Sequence, residues 1–206
     1  MPKHRRPGRP RADESGPPTD AVIVQTASRL FLDRGYQKVS IDEVAEACGV
    51  TKATVYYYFD NKAQLFTKSM LAMMQRIRER IAAMLSVDKP LRTRLHEVAV
   101  AHLQATMQID LDGFMRETKN ALSPSQVKLM REAEERMYQA IEEAFDKSIK
   151  AGEIPEINAT FAAHAYISLL KIGNYRLADN TRLFPNVETA ADHIIAFLWN
   201  GLFCDQ

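Results

Sequence analysis

The side chains best equipped for chemistry lie between Thr51 and Phe59, where Lys52, Thr54, Tyr56, Tyr57 and Tyr58 crowd a short stretch. Only Val55 and Phe59 in this run are apolar and spaced i, i+4, so one narrow face packs and the others are free. A short helix with polar and aromatic residues on its free faces suits the DNA major groove. Its first turn meets base edges, and its unpaired backbone N–H groups favour nearby phosphate. A purely packing role for the Tyr-Tyr-Tyr-Phe run is the competing reading, and the single i, i+4 apolar pair argues against it.

Other chemistry finds little support. There is no Gly-rich phosphate loop, no Cys/His metal spacing and no nucleophile elbow. His96 and His102 are six positions apart and point to different helix faces, while His164 and His193 read as interface or core residues. Cys48 and Cys204 make no disulfide framework, and Cys48 reads as a small core residue. We therefore expect no enzyme, no metal and no cofactor.

A helix that enters DNA needs a partner to fix its angle. Ser40-Ile-Asp-Glu43 is a capping box, with Ile41, Val44, Ala45 and Cys48 as the apolar side of a short helix that ends at Gly49. Thr51 caps the next helix, expected over Lys52 to Phe59. Two short helices around a tight glycine turn make a helix-turn-helix. A preceding helix starts at Thr19 or Asp20 as cap, buries Ile23, Ala27, Leu30 and Phe31, and stops at Gly35. Asn61 caps a fourth helix, whose apolar residues run from Leu65 through Phe66, Met70, Met73, Met74, Ile77 and Ile81 to Met84. Further helices are expected at Leu91–Asp110, Leu111–Leu122, Pro124–Ala151, Ala159–Leu177 and Val187–Phe203, with a loop over Asn180 to Asn186. The expected class is all-α, with about nine helices. The expected domains are a basic arm at 1–18, a DNA-binding domain at 19–66 and an effector-binding and dimerisation domain at 67–206.

The stretch Ala27 to Phe66 resembles the tetracycline-repressor (TetR) family. The resemblance is carried by Phe31-x-x-x-Gly35-Tyr36, by Ser40-Ile-Asp-Glu-Val-Ala45, by Gly49-Val-Thr-Lys-Ala-Thr-Val-Tyr-Tyr-Tyr-Phe59 and by Asn61-Lys62-x-x-Leu65-Phe66. It implies that Lys52, Ala53, Thr54, Tyr56 and Tyr57 meet DNA, and that Ser40 and Lys62 contact phosphate. Lys52 reaches a base edge or phosphate, Ala53 permits close approach to a thymine methyl, and Thr54 serves either. The two tyrosine hydroxyls bind backbone oxygens, which positions the helix rather than reads sequence. Tyr58 stands where many relatives have histidine. The resemblance also implies a ligand-responsive regulator, chiefly a repressor, that binds a palindromic operator as a homodimer. An activator or dual regulator of the same family and a helical small-molecule carrier that binds no DNA are the alternatives.

Charge alone does not announce this function. The net charge is +1, and residues 1–66 carry 10 Lys+Arg against 8 Asp+Glu. The positive charge gathers in the arm, where Arg5, Arg6, Arg9 and Arg11 follow Lys3 before any acid. Arg6-Pro-Gly-Arg-Pro-Arg11 resembles an AT-hook core, so the arm is a candidate minor-groove contact or a disordered tail. It lacks the apolar run of a secretory signal, and no apolar stretch approaches the ~20 residues that span a bilayer. A cytoplasmic protein is expected. Met70, Met74, Met107, Phe114, Met115 and Met137 are candidate lining for a largely apolar effector, although methionine at helical spacing also fills cores. Phe161, Ala165, Leu169, Ile194, Phe197 and Leu198 are candidate dimer contacts.

Overall fold

The computed structural model describes residues 17–107, 118 and 121–203, and every regular element among them is helical apart from one isolated antiparallel bridge. The helices are α1 (Thr19–Arg34), α2 (Ile41–Ala47), α3 (Lys52–Tyr58), α4 (Lys62–Leu85), α5 (Leu91–Thr106), α6 (Pro124–Lys150), α7 (Ala159–Gly173) and α8 (Val187–Phe203). The helix expected at Leu111–Leu122 lies outside the described residues apart from Thr118, Ala121 and Leu122. None of the described helices is long and apolar enough to cross a membrane.

Local signals place most boundaries. Ser40 and Glu43 form the reciprocal capping box, Thr51 accepts from the Thr54 N–H, and Asn61 accepts from the Gln64 N–H. Gly35 ends α1 at φ 83°, a conformation that side chains resist, while its N–H bonds Phe31 O at 2.9 Å. Several boundaries differ from expectation: the helix expected to reach Asp110 ends at Thr106, and those expected to end at Phe59 and Ala151 stop one residue earlier. Pro18 occupies the N-cap of α1, so Thr19 and Asp20 lie inside the first turn and neither caps it. Proline fixes its own φ and needs no N–H there. The helix expected to reach Leu177 ends at Gly173, and Asn174 instead donates its side-chain amide to Thr106 Oγ1 at 2.7 Å. The chain then turns through a short hairpin with an Arg176–Arg182 bridge before α8.

Two apolar cores result. The N-terminal core holds Ile23, Ala27, Phe31, Val44, Val55, Phe59, Leu65 and Phe66, and it extends to Met70 on α4 and Met130 on α6. Phe31, Tyr36 and Phe66 form its aromatic centre, with both Phe66 contacts edge-on at 5.1 Å. Such pairs add about 0.5–1.5 kcal/mol each beyond the area they bury. The C-terminal core gathers Leu91, Leu95, Leu103, Phe145, Tyr166, Ile194 and Leu198. Tyr166 is buried there and donates its hydroxyl to Leu95 O at 2.7 Å, so its polar end is satisfied. Helix α4 serves both cores. Its first turns pack in the N-terminal one, Ile81 and Met84 pack against the other, and Ile77 between them is exposed.

Candidate nucleic-acid interface

Helix α2 buries Ile41, Val44 and Ala45, leaving Cys48 partly covered against the same core. The chain turns at Gly49, whose φ of 67° favours a residue without a Cβ. Val50 N–H closes the turn on Ala45 O at 3.0 Å. Thr51 then starts α3 by accepting from Thr54 N–H, and the two hydroxyls lie 2.9 Å apart. Helix α3 buries Val55 alone among its own residues, and Phe59 anchors its far end. Lys52, Ala53, Tyr56, Tyr57 and Tyr58 are exposed, Tyr57 by 81%. So large an exposed phenol ring beside an exposed alanine contributes little to packing and leaves a surface fit for another molecule.

Both lysines of this surface are already engaged. Lys52 Nζ lies 2.7 Å from Asp42 Oδ2 in the first turn of α2, and that hydrogen bond holds the ammonium above the usual lysine range. Lys62 Nζ donates to Gln37 O at 3.2 Å and sits 4.4 Å from the centre of the Tyr36 ring. Burial holds this amine below the usual range, against the opposing charge of Glu43. Glu43 itself accepts from Ser40 N–H at 2.7 Å, which keeps its carboxyl low, and pairs with Arg34 at 3.0 Å. The end of α1, the start of α2 and the start of α4 are thereby joined by one polar junction.

Among the expected DNA contacts, Ala53, Tyr56 and Tyr57 lie exposed on α3, with Thr54 partly covered. Ser40 is exposed and accepts from Glu43 N–H in its capping box, which leaves its O–H free to donate, and Lys62 gives one donor to the junction. Asp42 and Gln37, which help tie up the two lysines, were not singled out in the sequence, and Tyr36 entered only as part of the family pattern. Asp42 was readable as a first-turn carboxylate ten positions before Lys52, but only the folded turn brings the two together. The arm residues Arg5, Arg6, Arg9 and Arg11 lie outside the described residues, as do Phe114 and Met115.

The remaining expected sites separate. Met70 is buried in the N-terminal core and Met74 packs against it, whereas Met107 packs against the C-terminal core and Met137 is partly buried on α6. Of the interface candidates, Ile194 and Leu198 are buried in the C-terminal core and Ala165 and Leu169 pack partly against it. Phe161 and Phe197 remain free, exposed by 64% and 70%. His164, Ser168 and Ile172 continue the exposed stripe of α7, and His193 and Gly201 that of α8.

Residues 23–68 match the sequence model described as "Bacterial regulatory proteins, tetR family". The chain is 23% identical over 155 residues to an uncharacterized HTH-type transcriptional regulator, YhgD, of Bacillus subtilis (strain 168), covering 72% of this chain and 81% of that protein. It is 38% identical over 55 residues to the HTH-type transcriptional regulator TtgR of Pseudomonas putida, covering 27% of this chain and 26% of TtgR. It is 33% identical over 48 residues to IcaR, a negative transcriptional regulator of the icaADBC biofilm operon in Staphylococcus epidermidis, covering 23% of this chain and 26% of IcaR. Among solved structures, a transcriptional regulator of the TetR/AcrR family from Thermobifida fusca superposes with a TM-score of 0.65 at 24% identity, covering 88% of this chain and 97% of that one. FadR from Bacillus subtilis, in complex with stearoyl-CoA, gives 0.69 at 16% identity, covering 88% and 98%. These two likenesses establish the fold.

Proposed function

We propose that this chain, whose residues 23–68 match the tetR family of bacterial regulatory proteins, is a transcriptional regulator of that kind and represses transcription by binding a palindromic operator as a homodimer, in the cytoplasm, until a small molecule releases it. One observation carries the reading: α3 buries Val55 and offers Ala53, Tyr56 and Tyr57 outward beside Lys52 and Thr54. One such helix reads few base pairs. Two copies about 34–36 Å apart read both halves of a palindrome. The exposed Phe161 of α7 and Phe197 of α8 support a two-fold interface, since large aromatic side chains left in water are natural anchors for a second copy.

Release follows from the way the two halves share elements. Helix α4 runs 24 residues, roughly 36 Å, from the polar junction at Lys62 to the C-terminal core. Met130 of α6 and the partly buried Ala121 and Leu122 pack directly on the N-terminal core. A ligand that shifts α4 or the start of α6 therefore moves the α3 surface, and it favours whichever state it binds more tightly. FadR is bound to stearoyl-CoA and AibR to isovaleryl coenzyme A and operator DNA in their solved structures. We infer an effector with an apolar part here too, met by Met74, Met107 or Met137 and by Phe114 and Met115. The arm, through Arg5, Arg6, Arg9 and Arg11, adds affinity for A·T-rich flanks.

The test is recovery of genomic fragments by the purified chain, followed by release with a series of acyl-CoA thioesters and uncharged apolar compounds. Specific fragments that a compound releases bear the reading out. Failure to retain any fragment would sink it in favour of a ligand carrier, and enhanced transcription from a retained fragment would mark an activator.

A further inference from the structure

We propose that Asp42 is a specificity-determining residue of the DNA-binding surface, holding the Lys52 ammonium so that random DNA does not capture it. The inference rests on the DNA-binding reading of α3. Lys52 is the first residue of α3, and its Nζ lies 2.7 Å from Asp42 Oδ2. Both side chains are more than half exposed, so water screens the pair and a better partner displaces it readily. The two residues lie on different helices of the motif, ten positions apart, and only the Gly49 turn brings them into register.

The consequence is electrostatic. Random duplex DNA offers phosphates everywhere, and affinity for it grows with the number of them that free cations neutralise. Lys52 held by Asp42 is close to neutral to an approaching phosphate, and the carboxylate itself repels it. A chosen site offers more, because a base edge such as guanine O6 and N7 gives Lys52 two acceptors in fixed positions. Asp42 therefore penalises nonselective contact more than selective contact. It lowers affinity for DNA in general and raises the ratio between operator and random sequence. Lys62 is a different case, since its hydrogen-bond and ring partners are uncharged and the one carboxylate whose charge acts on it, Glu43, is itself paired with Arg34.

The experiment measures binding of the full chain to two fluorescent duplexes by anisotropy across a salt series. One is a random-sequence duplex, and the other is a palindrome selected from a random pool by the wild-type protein. Asp42→Asn should bind the random duplex roughly 5–10-fold more tightly at ~0.1 M salt, with the log–log salt slope steeper by about 0.9 per subunit. Its affinity for the selected palindrome should change less, so the ratio falls. Asp42→Ser serves as a second variant should the amide disturb the start of α2, and thermal melting checks the fold of both. In a Lys52→Met background the Asp42→Asn gain should shrink by at least half. An equal gain there overturns the proposal, because the carboxylate would then act by repulsion without Lys52. An unchanged affinity for random DNA in both Asp42 variants overturns it too. Failure of the wild-type chain to bind either duplex is a separate result and removes the DNA-binding reading itself.

Discussion

Tyr57 projects from α3 with 81% of its surface exposed, so its removal should cost binding and leave folding alone. Tyr57→Ala is expected to weaken operator binding by about 10–150-fold, the range of a lost hydrogen bond to a charged oxygen, with an unchanged melting temperature. Tyr56→Phe isolates one hydroxyl and should lose less. Lys62 differs, because its ammonium closes the junction between Gln37 and the Tyr36 ring. Lys62→Met should lower folding stability by about 1 kcal/mol in a denaturant titration, in addition to any loss of DNA affinity. His102 gives a pH signature. Burial pushes its pKa down, so the folded state resists protonation more than the unfolded chain does. The stability is then fully present above about pH 6.5, the unfolded value, and falls as pH drops toward the lower folded value. His102→Gln should flatten the melting-temperature profile across that acid limb. An identical slope in the variant removes His102 as its cause.

At the scale of elements, the helix-turn-helix was legible because its signals are local. Ser40-x-x-Glu43, Gly49 and Thr51 each act within four residues, and all three perform as their types predict. The end of α7 was not legible for the opposite reason. Ile172, Leu177 and the residues between them continue an apolar helical pattern, yet Asn174 turns to Thr106 on α5, 68 positions away in the chain. Gly173 looked like an ordinary helix residue too. A Cβ there would stand 2.4 Å from Leu103 Cδ2 and 3.2 Å from Ile194 Cδ1, and Leu103 is fully buried. The glycine thus permits the close approach of α7 to α5 and α8. Gly173→Ala should destabilise the chain by about 1–3 kcal/mol through overpacking, as measured by chemical denaturation. A neutral result would mean that Leu103 has room to move.

At the scale of the whole molecule, the candidate site was readable where it is a surface and unreadable where it is a relation between distant parts. Apolar periodicity marked both Phe197 and Leu198, but only the folded chain sends Leu198 inward to the C-terminal core and leaves Phe197 outside. It likewise assigns Met70 and Met130 to one shared core, so α6 reaches the N-terminal unit through Met130 while α4 enters it with Leu65, Phe66 and Met70. A dimer through α7 and α8 predicts that Phe197→Glu yields monomers in sedimentation, with folding intact because the side chain is 70% exposed, and with loss of palindrome binding. The central claim is that two copies of α3 enter successive major grooves. Hydroxyl-radical footprinting of the wild-type chain on its selected palindrome tests it most directly. The account predicts two protected patches whose centres lie about one helical turn, or a multiple of it, apart, both lost in Tyr57→Ala. Protection in a single patch, or two patches that survive that substitution unchanged, would contradict it.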